Sequence, residues 1–331
     1  MTESYHPMGT QPVRVLEQNV LAWFEGKYSE FRAELEQIGK DFGTTRGIKY
    51  YCDEEPIRGD PQGDMTPYVQ VEGGQIGIHE TFLSYVWALS YASFVIFDEQ
   101  FHGPRTGKQP EHGKPLGYFL ENGYKVLNYG LSLITEFRKW PADLPNPDTY
   151  KGEDTHFPGR TNAIYLAAVD FILCHEVAHI ACGHLRRLQE AEQSGQYITS
   201  REIKEFEIEA DRWAVERVRK GIRPPERSKT AVGFGVVAGL GSLLFLNREL
   251  TSSTHPDKDD RIHNALLALS VDDLDSLWGI VAAFYAAWDR RFGVGIDYSG
   301  EYENYKALVD HIERQLDPLK RDEEVRRFGL D

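Results

Sequence analysis

The sequence predicts a mostly helical α+β fold with one small β-hairpin. Three observations predict it. Apolar residues recur at helical spacing through most of the chain. One short stretch, Tyr68–Ile78, instead alternates with a period of two around Gly73-Gly74. And a long apolar run starting near Asn162 carries a charged Glu176 between two histidines, where a core helix has no need of a charge.

Val13 to about Lys40 places Val15, Leu16, Val20, Phe24, Phe31, Leu35 and Ile38 on one stripe, which predicts a helix. Gly47–Cys52 reads as a strand, and the acidic, proline-bearing segment to Pro67 as a loop. The hairpin follows, then a helix from about Glu80 to Asp98. Residues 99–115 read as a polar loop, and Leu116 to about Phe137 as another helix. Pro141, Pro145, Pro147 and Pro158 mark an irregular stretch over 140–160 that leads into the long apolar helix, expected to run to Glu192. Thr199-Ser200-Arg201-Glu202 is a capping box, opening a helix that Gly221 and Pro224-Pro225 stop. Helices over 229–249, 261–269, 272–288 and 299–316 complete the chain, before a charged tail.

At 331 residues with 41% hydrophobic content, the chain can bury a large core. Its 52 acidic residues against 37 basic ones give a formal charge of −15. That disfavours nucleic acid and anionic membranes as partners. No stretch reaches the roughly 20 apolar residues of a membrane span. Phe82–Phe97 and Ala231–Leu246 come nearest, and both read as buried helices. Cys52, Cys174 and Cys182 form no disulfide framework, which fits a reducing, cytoplasmic setting. No signal-peptide pattern opens the chain.

Residues 175–179 read HEVAH, a match to the zinc-protease signature H-E-x-x-H. Four residues apart on a helix, His175 and His179 face one ion together. Glu176 then reaches a metal-bound water and takes its proton. Chance would produce the pentapeptide in roughly one chain of this length in a hundred, so a further ligand has to decide the matter. The capped helix after it supplies one. In Glu207-Ile208-Glu209-Ala210-Asp211, Glu207 and Asp211 share a side. Glu207 is the expected third ligand, and Asp211 the residue that fixes a histidine tautomer from behind. Ser253-Thr254-His255-Pro256 and Arg261 follow. His255, alone or with Arg261, is a candidate for stabilising an oxyanion, though beside Pro256 it also reads as a plain helix-entry residue.

HEVAH, then Glu207–Asp211, then Ser253–Pro256 with Arg261-Ile262 resembles the gluzincins related to the CaaX prenyl proteases and the heat-shock membrane protease HtpX. The resemblance spans roughly residues 162–268 and implies a zincin-like metalloprotease. It makes Glu207 the third zinc ligand, and His255 and Arg261 residues that face the substrate. The transmembrane helices of that group are missing. Soluble bacterial gluzincins related to the phage-exclusion protease Lit are similar too, and imply an intracellular host-defence endopeptidase. The expected product is a Zn2+-dependent protease of protein or peptide substrates, with an activating partner left open. Its parts are an N-terminal helical and hairpin region over 1–160, a zinc-binding core over 161–318 and a tail over 319–331. The hairpin is expected to offer the substrate an edge, with Gly77 giving close backbone approach. A non-proteolytic zinc-binding sensor with the same fold is the alternative, and the presence of Glu176 argues against it.

Overall fold

The computed structural model describes residues 11–42, 49–51, 66–70, 75–107, 113–148, 156–224, 228–272 and 275–328. Cys52 and the expected Gly73-Gly74 turn lie outside them. The fold is mostly helical α+β, as the periodicities predict.

A 3-10 turn, Pro12–Leu16, leads into α1 (Glu17–Glu25), and α2 (Phe31–Phe42) follows. The single helix expected over this region divides at Gly26. The division turns Lys27 inward between the rings of Phe24 and Phe31, where its ammonium pairs with buried Asp170. A buried lysine needs such a partner.

Three short strands form one mixed sheet in the order β1-β3-β2: β1 is Lys49–Tyr51, β2 is Tyr68–Val69 and β3 is Ile76–His79. β3 pairs parallel with β1 and antiparallel with β2. Gly77 therefore sits in the central strand, opposite both Lys49 and Tyr68, and not at an open edge. A Cβ on Gly77 would meet the Tyr68 ring at 2.6 Å, so glycine here makes room for a cross-strand ring.

β3 runs straight into α3 (Glu80–Ile96), whose first turn is capped when Thr81 N–H donates to His79 Nδ1 at 3.1 Å. α3 is almost wholly buried. A π-helical turn, Phe97–His102, and the single turn α4 (Gly103–Thr106) extend it into the segment expected as a polar loop. α5 (Leu120–Ser132) packs back on α3.

α6 (His156–Ala181) is the axis of the molecule, held by α3, α1, α8 (Ser200–Lys220) and α9 (Lys229–Gly241). α9 comes close because Gly235 has no side chain. A Cβ there would lie 2.6 Å from the Ala167 carbonyl carbon. Two helical segments, Glu80–Thr106 and His156–Ala181, are long and apolar enough to cross a membrane, contrary to expectation. Their apolar windows are 94% and 78% buried within this fold.

The apolar helix does not run on to Glu192. It stops at Ala181, and Gly183 adopts φ +79°, a left-handed conformation that glycine enters without strain. α7 (His184–Ser194) then begins as a separate helix. After α9 come a 3-10 turn (Ser242–Phe245), α10 (Lys258–Ala268), α11 (Leu277–Phe292) and α12 (Tyr305–Phe328). α12 carries the charged stretch expected as a tail: it is helical through Phe328, and Glu323 is buried.

Candidate metal centre

Two helices build the centre. α6 places His175 and His179 one turn apart, and α8 places Glu207 opposite them. His175 Nε2 and His179 Nε2 lie 3.2 Å apart. Glu207 Oε2 is 3.3 Å from His175 Nε2, and Glu207 Oε1 is 3.5 Å from His179 Nε2. An ion about 2.0–2.1 Å from each donor at tetrahedral angles needs donors about 3.3 Å apart, so the residues fit zinc.

The other ring nitrogens are engaged elsewhere, which fixes where the rings point. Asp211 Oδ1 accepts from His175 Nδ1 at 2.9 Å. His179 Nδ1 faces His184 Nδ1 at 3.0 Å, and His184 Nε2 donates to Glu209 Oε2 at 3.1 Å. Arg261 reaches in from α10 and grips Asp211 with two bonds, Nε to Oδ2 at 2.7 Å and Nη2 to Oδ1 at 2.8 Å. Its Nη2 also lies 3.5 Å from Glu207 Oε2.

Charge follows geometry. Burial works against a charged His175, but Asp211 and Glu207 outweigh it and hold the imidazole up at about 10. Burial, with the neighbouring His175, draws His179 down to about 4. Glu207 ionises well below the usual carboxylate range: burial opposes this, yet His175 and Arg261 prevail. Asp211 is lowered in the same way, Arg261 overcoming the cost of burial. Glu176 shifts the other way, because the charges of His175 and Arg261 do not outweigh its burial. Burial lifts it to about 7, within reach of a base working at neutral pH.

A cavity of about 640 Å³ opens over the centre. Glu176 and His255 line it, with apolar walls from Phe171, Ile172, Leu240 and Leu243. His255 is half-exposed, its Nε2 3.8 Å from Glu207 Oε1 and its Nδ1 2.9 Å from Thr254 Oγ1. β2 reaches the same cavity through Val69.

All seven residues singled out from the sequence meet here: His175, Glu176, His179, Glu207, Asp211, His255 and Arg261. One placement differs in kind. Arg261 is buried and paired with Asp211 behind the donors, while it also lines the cavity. His184 and Glu209 are not marked by any motif. The one available signal is a Gly183-His184 pair separated from HEVAH by three residues, where glycine can end a helix.

Residues 76–281 match the model of the family described as Peptidase U49. The cell death peptidase of Escherichia coli (strain K12) is 25% identical over 224 residues, covering 66% of this chain and 71% of that protein. No solved structure matches. The matched span contains every residue of the centre.

Proposed function

Because this chain belongs to the Peptidase U49 family and is a peptidase, we propose that it is a zinc-dependent endopeptidase acting on an intracellular protein. The observation that carries the zinc reading is the triangle of His175 Nε2, His179 Nε2 and the Glu207 carboxylate, with edges of 3.2–3.5 Å. Zn2+ held there supplies Lewis-acid chemistry toward a water and the substrate carbonyl.

The chain's own residues do the rest. Asp211 accepts the Nδ1 proton of His175, so that Nε2 presents its lone pair. Arg261 holds Asp211 and Glu207 in place. Glu176 takes a proton from the attacking water as the new C–O bond forms, then delivers it to the amide nitrogen as the C–N bond breaks. His255, on the cavity wall, donates to the carbonyl oxygen as negative charge gathers there. The substrate lies as an extended strand along β2, the edge strand that reaches the cavity. The relative's name, cell death peptidase, and the resemblance to a phage-exclusion protease support a role in phage defence.

Two measurements test this. Metal analysis of purified protein is expected to give one zinc per chain, lost in His179→Ala. Proteome-wide cleavage profiling of cells expressing wild type or Glu176→Gln is expected to show a cut only with wild type. A metal-free, active wild type would sink the zinc mechanism. Identical profiles, with zinc retained in both, would favour a non-proteolytic sensor.

A further inference from the structure

His179 has a partner that the proposed reaction does not use. After α6 ends, Gly183 takes a left-handed conformation and His184 opens α7 with its ring against His179. His184 is 3% exposed, and its ring stacks flat on Phe206, centroids 4.4 Å apart and planes at 13°. Stacking from one side and two nitrogen contacts at the edges leave the ring a single orientation. Its Nδ1 meets His179 Nδ1 at 3.0 Å, and its Nε2 meets Glu209 Oε2 at 3.1 Å.

The proton positions along this row follow from the chemistry of its ends. Glu209 as a carboxylate only accepts, so His184 Nε2 carries a proton. A neutral His184 then offers a lone pair at Nδ1. Two facing Nδ1 atoms share one proton, so it belongs to His179. That leaves His179 Nε2 without a proton, and this is the atom that faces His175 Nε2 and Glu207. The opposite tautomer of His184 would place a proton on His179 Nε2 and close it to an ion.

We propose that His184, oriented by Glu209 and Phe206, is a positioning residue that fixes the tautomer and ring angle of His179. It does for His179 what Asp211 does for His175. The inference rests on the zinc reading of the centre. The sequence HEVAH-Ile180-Ala181-Cys182-Gly183-His184 thus holds both a ligand and its support, joined by one helix break.

The test compares His184→Ala, His184→Asn and His184→Phe, with Glu209→Leu, in the full chain. Zinc affinity is read by chelator competition, the visible spectrum is read after loading with Co2+, and the melting temperature of the metal-free form is read separately. Phenylalanine keeps the stack on Phe206 but has no nitrogen. Asparagine can put an amide oxygen where Nδ1 stands. His184→Ala and His184→Phe are expected to weaken zinc binding about 10- to 100-fold and to alter the Co2+ bands, as lost outer partners do. His184→Asn is expected to stay within a few fold of wild type. Glu209→Leu, losing a half-exposed partner, is expected to fall between.

Wild-type affinity and spectrum in His184→Phe would overturn the proposal. So would equal losses in all three His184 variants that track a fall in metal-free melting temperature, which describes a residue that only supports the fold. Cys182 Sγ also lies near His184 and Glu209. A second zinc equivalent that disappears in Cys182→Ala would make His184 a ligand and overturn the proposal as well. A wild type that takes up no zinc removes the zinc reading itself, which separates that failure from this one.

Discussion

His175 carries the charge of the centre when no ion is bound. Its imidazolium sits between Asp211 and Glu207, which hold it up at about 10 against burial. His179 is drawn down to about 4, and Glu207 ionises far below neutrality. At pH 7 to 8 the metal-free protein therefore holds one proton among its three donors. Zinc must displace it, because a donor has to be deprotonated. Calorimetry in buffers of different ionisation enthalpy is expected to show close to one proton released per zinc. Affinity is expected to rise about tenfold per pH unit from 7 toward 10. Release of no proton would contradict the charge on His175. Glu176 gives the complementary sign. Burial, with the charge of Glu207 adding to it, lifts it to about 7, and a nearby divalent cation favours the carboxylate and lowers it. The acidic limb of kcat/KM is therefore expected below pH 7. Glu176→Gln is expected to lose about 100- to 10,000-fold in kcat while keeping its zinc. The amino-acid sequence alone makes these residues legible, because four-residue spacing puts His175 and His179 on one helix face and Glu207 and Asp211 on another, with Glu176 next to the first histidine.

Where an element's meaning depends on a neighbour, the sequence says less. The capping box is readable because it is local: Thr199 Oγ1 accepts from Glu202 N–H at 3.2 Å and Glu202 Oε2 accepts from Thr199 N–H at 2.9 Å. The end of α6 is not, since Leu185 and its neighbours continue a helical pattern past Gly183. The sheet is half readable. β2 and β3 pair as an antiparallel ladder, but the parallel pairing of β1 is non-local and moves Gly77 to the centre. β1 and β2 are then the edge strands, and β2 is the one that reaches the cavity. Gln70 N–H donates to Gln75 O at 2.8 Å, and antiparallel pairs alternate, so Val69 opposite Ile76 turns its own N–H and C=O away from β3. Val69 also lines the cavity. Val69→Pro would remove that outward donor and spare the ladder to β3. It is expected to lower kcat/KM about tenfold, the worth of one hydrogen bond of about 1–1.5 kcal/mol. Melting temperature and zinc content are expected to stay near wild type. Wild-type cleavage by this variant would remove β2 as the substrate edge.

Across the whole molecule, the last helix reaches back to the cavity that the middle of the chain builds. α12 is too charged in its second half to show an apolar stripe, so hydrophobic periodicity marks it as a tail. Its docking is polar instead. Lys320 pairs with Asp259 at 2.9 Å and Asp257 at 3.3 Å. Arg327 Nη2 donates to Thr251 O at 2.8 Å. Between them, buried Glu323 accepts from Leu250 N–H at 3.0 Å and from Thr251 N–H at 2.9 Å, and from Thr251 Oγ1 at 3.0 Å. Leu250 and Asp257 bracket the segment that carries His255, so α12 clamps a wall of the cavity from both ends. The three proposed zinc donors lie on α6 and α8 and have no share in this clamp. Glu323→Ala would strand buried backbone donors, at about 1–3 kcal/mol for each group left without a partner. Faster hydrogen exchange is expected in peptides covering 247–258, together with a lower kcat and an unchanged zinc content. Glu323→Gln keeps an acceptor oxygen and is expected to fall between Ala and wild type. If exchange in 247–258 matches wild type in Glu323→Ala, the clamp does not hold the His255 segment. If zinc is lost together with activity, α12 supports the metal centre as a whole and not this wall alone.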